Sequence, residues 1–80
     1  MGKPKLENMD YSEASRRGKN IVLGIIDHLK VGEGLRIVNF QTTPQMRELI
    51  PYLEQHKPRG SYFKSRIDEE KGSYTIRRLI

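Results

Sequence analysis

"SYFKSRIDEEKGSYTIRRLI", residues 61–80, consists of two runs of alternating residues on either side of an acidic turn. A turn over residues 69–72 places Asp68 opposite Ser73 and predicts a β-hairpin. In this register Lys64 lies opposite Arg77, although like charges directly opposite each other destabilise a sheet. The hairpin therefore sets the fold and also raises the question of why two cations are paired.

The two faces of this hairpin differ in polarity. One face carries Phe63, Ile67, Tyr74 and Ile76, and we expect this more apolar face to be covered. The other face carries Tyr62, Lys64, Arg66, Arg77 and Leu79, with Tyr62 opposite Leu79. We expect this cationic face to be open to solvent.

A first helix is predicted over residues 11–30. Asp10, followed three residues later by Glu13, is a start signal that resembles a capping box. Apolar residues then repeat at helical spacing, and Gly32 and Gly34 suit a tight exit from the helix.

A buried strand over residues 35–40 and a second helix over 44–55 are predicted next. Thr43 is expected as the helix cap, with Pro44 at the first helical position. Pro51 lacks the amide that would bond the Arg47 carbonyl, so a kink or break is expected there.

This order of elements predicts an α+β fold. It is a two-layer sandwich in which two helices pack on one face of a three- to four-stranded mixed sheet. We expect residues 1–9 to form a flexible tail, in which Leu6 and Met9 could add a short edge strand. Residues 10–80 are expected to form a single domain.

Composition narrows the class of protein. The 80 residues include no cysteine, which excludes disulfides, thiolate zinc sites and cysteine chemistry. His28 and His56 lie far apart with no carboxylate at a ligand spacing, so neither a metal nor a cofactor is expected. No apolar run is long enough to span a membrane, and we expect a cytoplasmic protein with no membrane partner. The net charge of +5 favours polyanionic partners.

The central sequence "VGEGLRIVNFQTTPQMRELIPYLEQH", residues 31–56, resembles the TusA/SirA-like family of small sulfur-carrier proteins. That family has a Gly-Glu turn, a hydrophobic strand, and a helix with an internal Ile-Pro before an aromatic or apolar residue. The matching positions are Gly32 and Glu33, residues 35–40, and Ile50, Pro51 and Tyr52. With its flanking elements, the resemblance covers roughly residues 12–80, and it gives Pro51 a place inside a helix.

The functional motif of that family, Cys-Pro-x-Pro, is missing. Counted back from Gly32, the motif would fall on residues 15–18, where Ser15 replaces the sulfur-accepting cysteine and neither proline is present. A serine hydroxyl cannot replace a thiolate in persulfide transfer. The resemblance therefore implies the fold without the chemistry. The same plan of two helices and four strands is similar to that of Alba-type chromatin proteins and of a domain of a bacterial translation initiation factor, both of which bind nucleic acid.

Two functions remain open at this stage. The first is a non-catalytic protein that binds DNA or RNA by phosphate contacts, through the hairpin and through a cationic amino terminus of the first helix. Its candidate residues are Arg16, Arg17, Lys19, Lys57, Arg59, Tyr62, Lys64, Arg66, Arg77 and Arg78. The second is a protein-interaction module, either a cysteine-free TusA-like adaptor or a viral regulator, that presents its open sheet face or its Tyr62/Leu79 edge to a protein partner.

Catalysis is not expected. Ser15 has no histidine or carboxylate placed to activate it. Glu69 and Glu70 lie in an exposed turn, where carboxylates keep their ordinary acidity.

Overall fold

Within residues 5–56 and 60–80, which are the residues that the computed structural model describes, the chain forms three helices and four strands. Their order is β1 (Leu6–Asp10), α1 (Tyr11–Arg17), α2 (Lys19–Asp27), β2 (Gly34–Val38), α3 (Thr43–Gln55), β3 (Phe63–Asp68) and β4 (Ser73–Arg78). None of the helices in this part of the chain is long and apolar enough to cross a membrane.

The four strands form one mixed sheet in the order β1-β2-β4-β3. Strand β1 runs parallel to β2, and β4 runs antiparallel to both β2 and β3. The register predicted for the hairpin is confirmed, with Asp68 opposite Ser73 and Lys64 opposite Arg77. Strands β2 and β4 are therefore the two central strands, each with a partner on both sides.

All three helices contribute to a single core on one face of the sheet. The crossovers from β1 to β2 and from β2 to β3 join parallel strands and proceed in the same direction across the sheet, so crossovers of the usual right hand place the intervening helices on the same side. The side chains buried there are Met9, Ala14, Val22, Ile26, Leu35, Ile37, Phe40, Met46, Leu49, Ile50, Leu53, Tyr74 and Ile76. The predicted α+β sandwich is confirmed.

The first helix is not continuous over residues 11–30 as expected. Gly18 has φ 92° and ψ 156°, outside the helical region, and it separates α1 from α2. Glycine adopts positive φ at little cost, so the chain changes direction there. The apolar residues at helical spacing gave no sign of this break, because Ala14, before Gly18, and Val22, after it, are buried in the same core.

Strand β1 extends the domain into the segment expected to be a tail. It pairs with β2 from Leu6↔Gly34 to Asp10↔Val38, and Met9 is buried in the core. The short edge strand considered for Leu6 and Met9 is thus present. The part of the predicted tail over residues 1–4 lies outside the described residues.

Helix α3 begins one residue earlier than predicted. Thr42 is the cap, and its hydroxyl accepts a hydrogen bond from the Gln45 amide at 3.4 Å. The Gln45 side chain in turn accepts from the amides of Thr42 and Gln41, which completes a capping box.

The expected break at Pro51 does not occur, because α3 continues to Gln55. Pro51 and Arg47 are both exposed. Water can therefore reach the Arg47 carbonyl that has lost its helical partner, which reduces the cost of an internal proline.

A close backbone contact fixes the hairpin turn against the chain after β2. Gly72 has φ 64° and is buried, and its carbonyl accepts a hydrogen bond from the Phe40 amide at 3.0 Å. A Cβ atom on Gly72 would lie 2.3 Å from the Phe40 carbonyl oxygen. Only glycine satisfies both the positive φ and this approach.

The core also contains the hydroxyl of Tyr74, which is fully buried. Burial raises the pKa of this phenol above its ordinary value, and the nearby Glu54 carboxylate adds to the effect. Ionisation of Tyr74 is therefore disfavoured in the folded state.

Replacing Gly72 with alanine should lower the free energy of unfolding by about 2–4 kcal/mol, through backbone strain and the clash with Phe40. Gly24→Ala is the matched control. A Cβ there meets nothing within 4 Å in a helix, and the change should stabilise the protein by about 0.5–1 kcal/mol. Urea titration of both variants measures the difference, and equal effects would contradict the contact at Gly72.

Tyr74 should make the protein less stable in alkali. Because its pKa is raised on folding, its contribution to stability is complete below the unfolded pKa of about 10 and is lost as pH rises above that value. The slope contributed is at most about 1.4 kcal/mol per pH unit. Urea titrations at several pH values should show that Tyr74→Phe lacks this alkaline decrease in the free energy of unfolding. Tyr62→Phe, a change at an exposed position, should retain it.

Candidate nucleic-acid interface

The sheet face opposite the helices is open. Because Tyr74 and Ile76 point into the core, their neighbours along β4 point the other way. The register extends this outer face across the four strands, and its residues are Leu6, Asn8, Asp10, Gly34, Arg36, Val38, Lys64, Arg66, Asp68, Ser73, Thr75 and Arg77. All of these except Gly34 are at least partly exposed.

Among the described residues, the outer face carries four cations in two adjacent rows. In one row Lys64 lies opposite Arg77. In the next row Thr75 lies between Arg66 on β3 and Arg36 on β2. The like-charge pair inferred from the sequence is therefore present, and a second pair of cations flanks a hydroxyl beside it.

Two of these cations are partly held by hydrogen bonds. A terminal nitrogen of Arg77, Nη1, donates to the Gly32 carbonyl at 2.8 Å. The Nε of Arg36 donates to the Thr75 hydroxyl at 3.3 Å. Since a guanidinium has five N–H donors, each arginine keeps most of its donors for another acceptor.

The acidic groups of the outer face, Asp10 and Asp68, lie at the end of the sheet opposite the Lys64–Arg77 row. Asp10 caps α1, and hydrogen bonds from Asn39 and from the hydroxyl and amide of Ser12 lower its pKa. Asp68 accepts a hydrogen bond from the Lys71 amide at 3.0 Å within the hairpin turn. Both carboxylates are thus engaged locally, away from the Lys64–Arg77 pair.

A shallow depression of about 330 Å³ lies between the Arg36–Arg66 row and the hairpin turn. Three cations, Arg36, Arg66 and Lys71, outnumber its one carboxylate, Asp68, and the other lining residues are Val38, Ser73 and Thr75. Cations and hydroxyls in this arrangement can donate several hydrogen bonds to one oxyanion.

An exposed aromatic residue marks the cationic end of the outer face. The Leu79 amide donates to the Tyr62 carbonyl at 2.8 Å, which continues the hairpin register beyond β3 and β4. Tyr62, two residues before Lys64, therefore lies on the same face, and its side chain is 56% exposed.

The remaining predicted residues lie elsewhere. Arg78 points to the helix side, where its guanidinium donates to the carbonyl of Leu29 at 2.8 Å and to that of Ile80 at 2.9 Å. It joins the end of β4 to the chain after α2. Lys57 and Arg59 lie outside the described residues.

The basic cluster around Gly18 is not at the amino terminus of the first helix. Arg16 and Arg17 lie in the last turn of α1, where cations complement the helix dipole, and Asp10 already caps the first turn. Arg17 pairs with Glu13 at 2.9 Å. Lys19, in α2, places its ammonium 5.1 Å from the centre of the Tyr52 ring.

Sequence reasoning did not include two cations of this surface, Arg36 and Lys71. Arg36 is the single charge in an otherwise apolar strand, and its position between buried Leu35 and Ile37 was a usable signal for the open face. Lys71 gave no such signal because it lies in the turn, where alternation ends.

In residues 5–56 and 60–80 there is no cluster of histidine and carboxylate side chains suited to a metal ion. His56 instead contacts Asp27, with 2.7 Å between Nε2 and Oδ1, which links the ends of α3 and α2.

No family model matches the sequence, and no curated protein or solved structure matches the chain.

Replacing Lys64 with glutamate should stabilise the protein by about 0.5 kcal/mol, because it converts the repulsive pair with Arg77 into an attractive one. The gain should shrink at high salt as the charges are screened. Lys64→Gln, which removes the repulsion without adding attraction, should fall between wild type and glutamate. Urea titrations at low and high salt measure this order, and a destabilised Lys64→Glu protein would show that the two side chains avoid each other.

Proposed function

We propose that the protein binds single-stranded nucleic acid on its outer face. The observation that carries the proposal is the group of four cations, Arg36, Lys64, Arg66 and Arg77, on a face that the described helices leave open. Phosphates are the ligands, and affinity for single strands of any sequence is the activity.

Phosphate binding accounts for the unfavourable pairing of Lys64 with Arg77. An anion between the two side chains converts repulsion into charge-assisted hydrogen bonds. The depression flanked by Arg36 and Arg66 supplies a second position, where Lys71 and the Thr75 hydroxyl add donors and the one carboxylate, Asp68, accepts from the Lys71 amide. Together the two positions form a track for successive phosphates.

Base stacking supplies the second contribution to the binding free energy, beside the phosphate contacts. Tyr62 presents an exposed ring beside the cationic rows, and a base stacked on an aromatic side chain contributes about 1–3 kcal/mol without regard to sequence. Stacking requires an unpaired base, which favours a single strand over a duplex.

The shape of the face also favours a single strand. The four strands span about 14 Å between the two edge strands, at about 4.8 Å per step. The major groove of B-DNA is about 12 Å wide and admits a helix or a two-stranded ribbon. A sheet face of this width does not enter that groove, whereas a flexible single strand can lie across it.

Binding of labelled single-stranded RNA and DNA to the pure protein, followed by fluorescence anisotropy over a range of salt concentrations, tests the proposal. With about four phosphates neutralised, the logarithm of affinity should fall against the logarithm of salt with a slope of about −3. The RNA and DNA arms determine which nucleic acid is preferred.

Replacing both Lys64 and Arg66 with alanine should weaken binding to all sequences and reduce the slope by about 1.4. The matched control is Lys30→Ala/Arg47→Ala, which removes the same charge at exposed positions off the outer face. Tyr62→Ala should lose about tenfold in affinity, and Tyr62→Phe, which keeps the ring, should not.

Equal losses in the two double variants would reject the outer face as the site. Absence of binding below ~100 μM in ~50 mM salt, within the usual non-specific range, would reject nucleic acid as the ligand. A pull-down from lysate with and without nuclease would then test the adaptor function, because a protein partner would remain bound after digestion.

A further inference from the structure

Strand β3 is an open edge of the sheet. It pairs with β4 on one side, and no described residue pairs with its other side. Ile67 points to the same face as Tyr74, yet it is 46% exposed, so the helices do not cover it. An edge with free backbone groups and an exposed apolar side chain is a surface on which another strand can pair.

The backbone groups available at this edge follow from the hairpin register. The Leu79 amide donates to the Tyr62 carbonyl, so Tyr62 directs its backbone groups towards β4. Since this direction alternates along an antiparallel strand, Lys64 and Arg66 also bond to β4. Ser65 and Ile67 then direct their amides and carbonyls outward.

The charges along this edge are self-complementary. On the outer face the order is Lys64, Arg66, Asp68, and the turn residue Glu70 follows. Two cations thus precede two anions, with Ile67 at the midpoint. Antiparallel pairing about that midpoint places each cation opposite an anion.

We propose that β3 pairs antiparallel with β3 of a second copy of the chain, with the twofold axis passing between the two Ile67 residues. Arg66 of each copy lies opposite Asp68 of the other, and Lys64 lies near Glu70 of the other. The two Ile67 side chains contact each other on the helix side of the sheet. This inference does not depend on nucleic-acid binding.

Charge selects this register over its neighbours. A pairing centred on Ser65 places Lys64 opposite Arg66 of the other copy twice, which like-charge repulsion disfavours. A pairing centred on Arg66 places Lys64 opposite Asp68, but it brings the two Arg66 side chains together. Of these three pairings, only the one centred on Ile67 has no like-charge contact between paired strand residues.

The dimer should be weak, because pairing over so short an edge buries much less than about 1,200 Å². Sedimentation velocity and NMR diffusion of the pure protein, from about 10 μM to 1 mM, should give a Kd of about 0.1–1 mM. The amides of Ser65 and Ile67 should become more protected from hydrogen exchange as concentration rises. A protein that stays monomeric at about 1 mM overturns the proposal.

Two double variants with the wild-type net charge test the register. Arg66→Asp/Asp68→Arg exchanges the partners and should keep the wild-type Kd within about threefold, while Arg66→Asp alone should weaken association about tenfold. Lys64→Asp/Asp68→Lys creates like-charge contacts throughout and should weaken association by at least about tenfold. Both double variants lose the Asp68–Lys71 hydrogen bond, so its loss cancels in the comparison.

The opposite order of these two double variants, with Lys64→Asp/Asp68→Lys the tighter dimer, overturns the pairing centred on Ile67. Stronger association of Arg66→Asp alone also overturns it, since that result requires the pairing centred on Ser65. The ¹H–¹⁵N spectrum of each variant at low concentration confirms that the monomer remains folded.

Discussion

The burial of Tyr74 and Ile76 is the constraint on which the rest of the structure depends. Both side chains belong to β4, the central strand that joins β2 to β3, and both lie in the core beneath the helices. Side chains alternate along a strand, so this burial directs Thr75 and Arg77 to the opposite face. The ladders on both sides of β4 then place the side chains of β2 and β3 on that face as well.

Much of this arrangement can be predicted from local sequence. The hairpin and its register follow from alternation and a single turn, which are short-range features, and they correctly place Lys64 opposite Arg77. The break at Gly18 could not be predicted, because buried residues keep helical spacing on both sides of it. Parallel pairing of β1 depends on contacts distant in sequence, so Leu6 and Met9 alone gave a weak signal.

The roles of the cationic side chains were harder to predict from the sequence than the positions of the strands. Arg77 and Arg78 are adjacent in sequence and identical in chemistry, yet one lies on the open face and the other binds the Leu29 carbonyl. Alternation explains why Arg78 shares the face of Tyr74 and Ile76 while Arg77 does not, but only the packed structure shows that Arg78 meets a backbone acceptor there. Arg78 therefore contributes to the fold by satisfying a backbone acceptor, whereas Arg36 and Arg77 keep free donors on the surface.

The central position of β4 has a consequence for how the chain folds during synthesis. β4 is translated after every other described element, yet it lies between β2 and β3. Until residues 73–78 leave the ribosome, β2 lacks one neighbour and β3 has no neighbour at all. Helices can form earlier from local contacts, but the sheet must wait for its central strand. Nascent chains of this protein therefore hold β2, which is rich in aliphatic residues, without its β4 partner from the synthesis of residue 38 until that of residues 73–78.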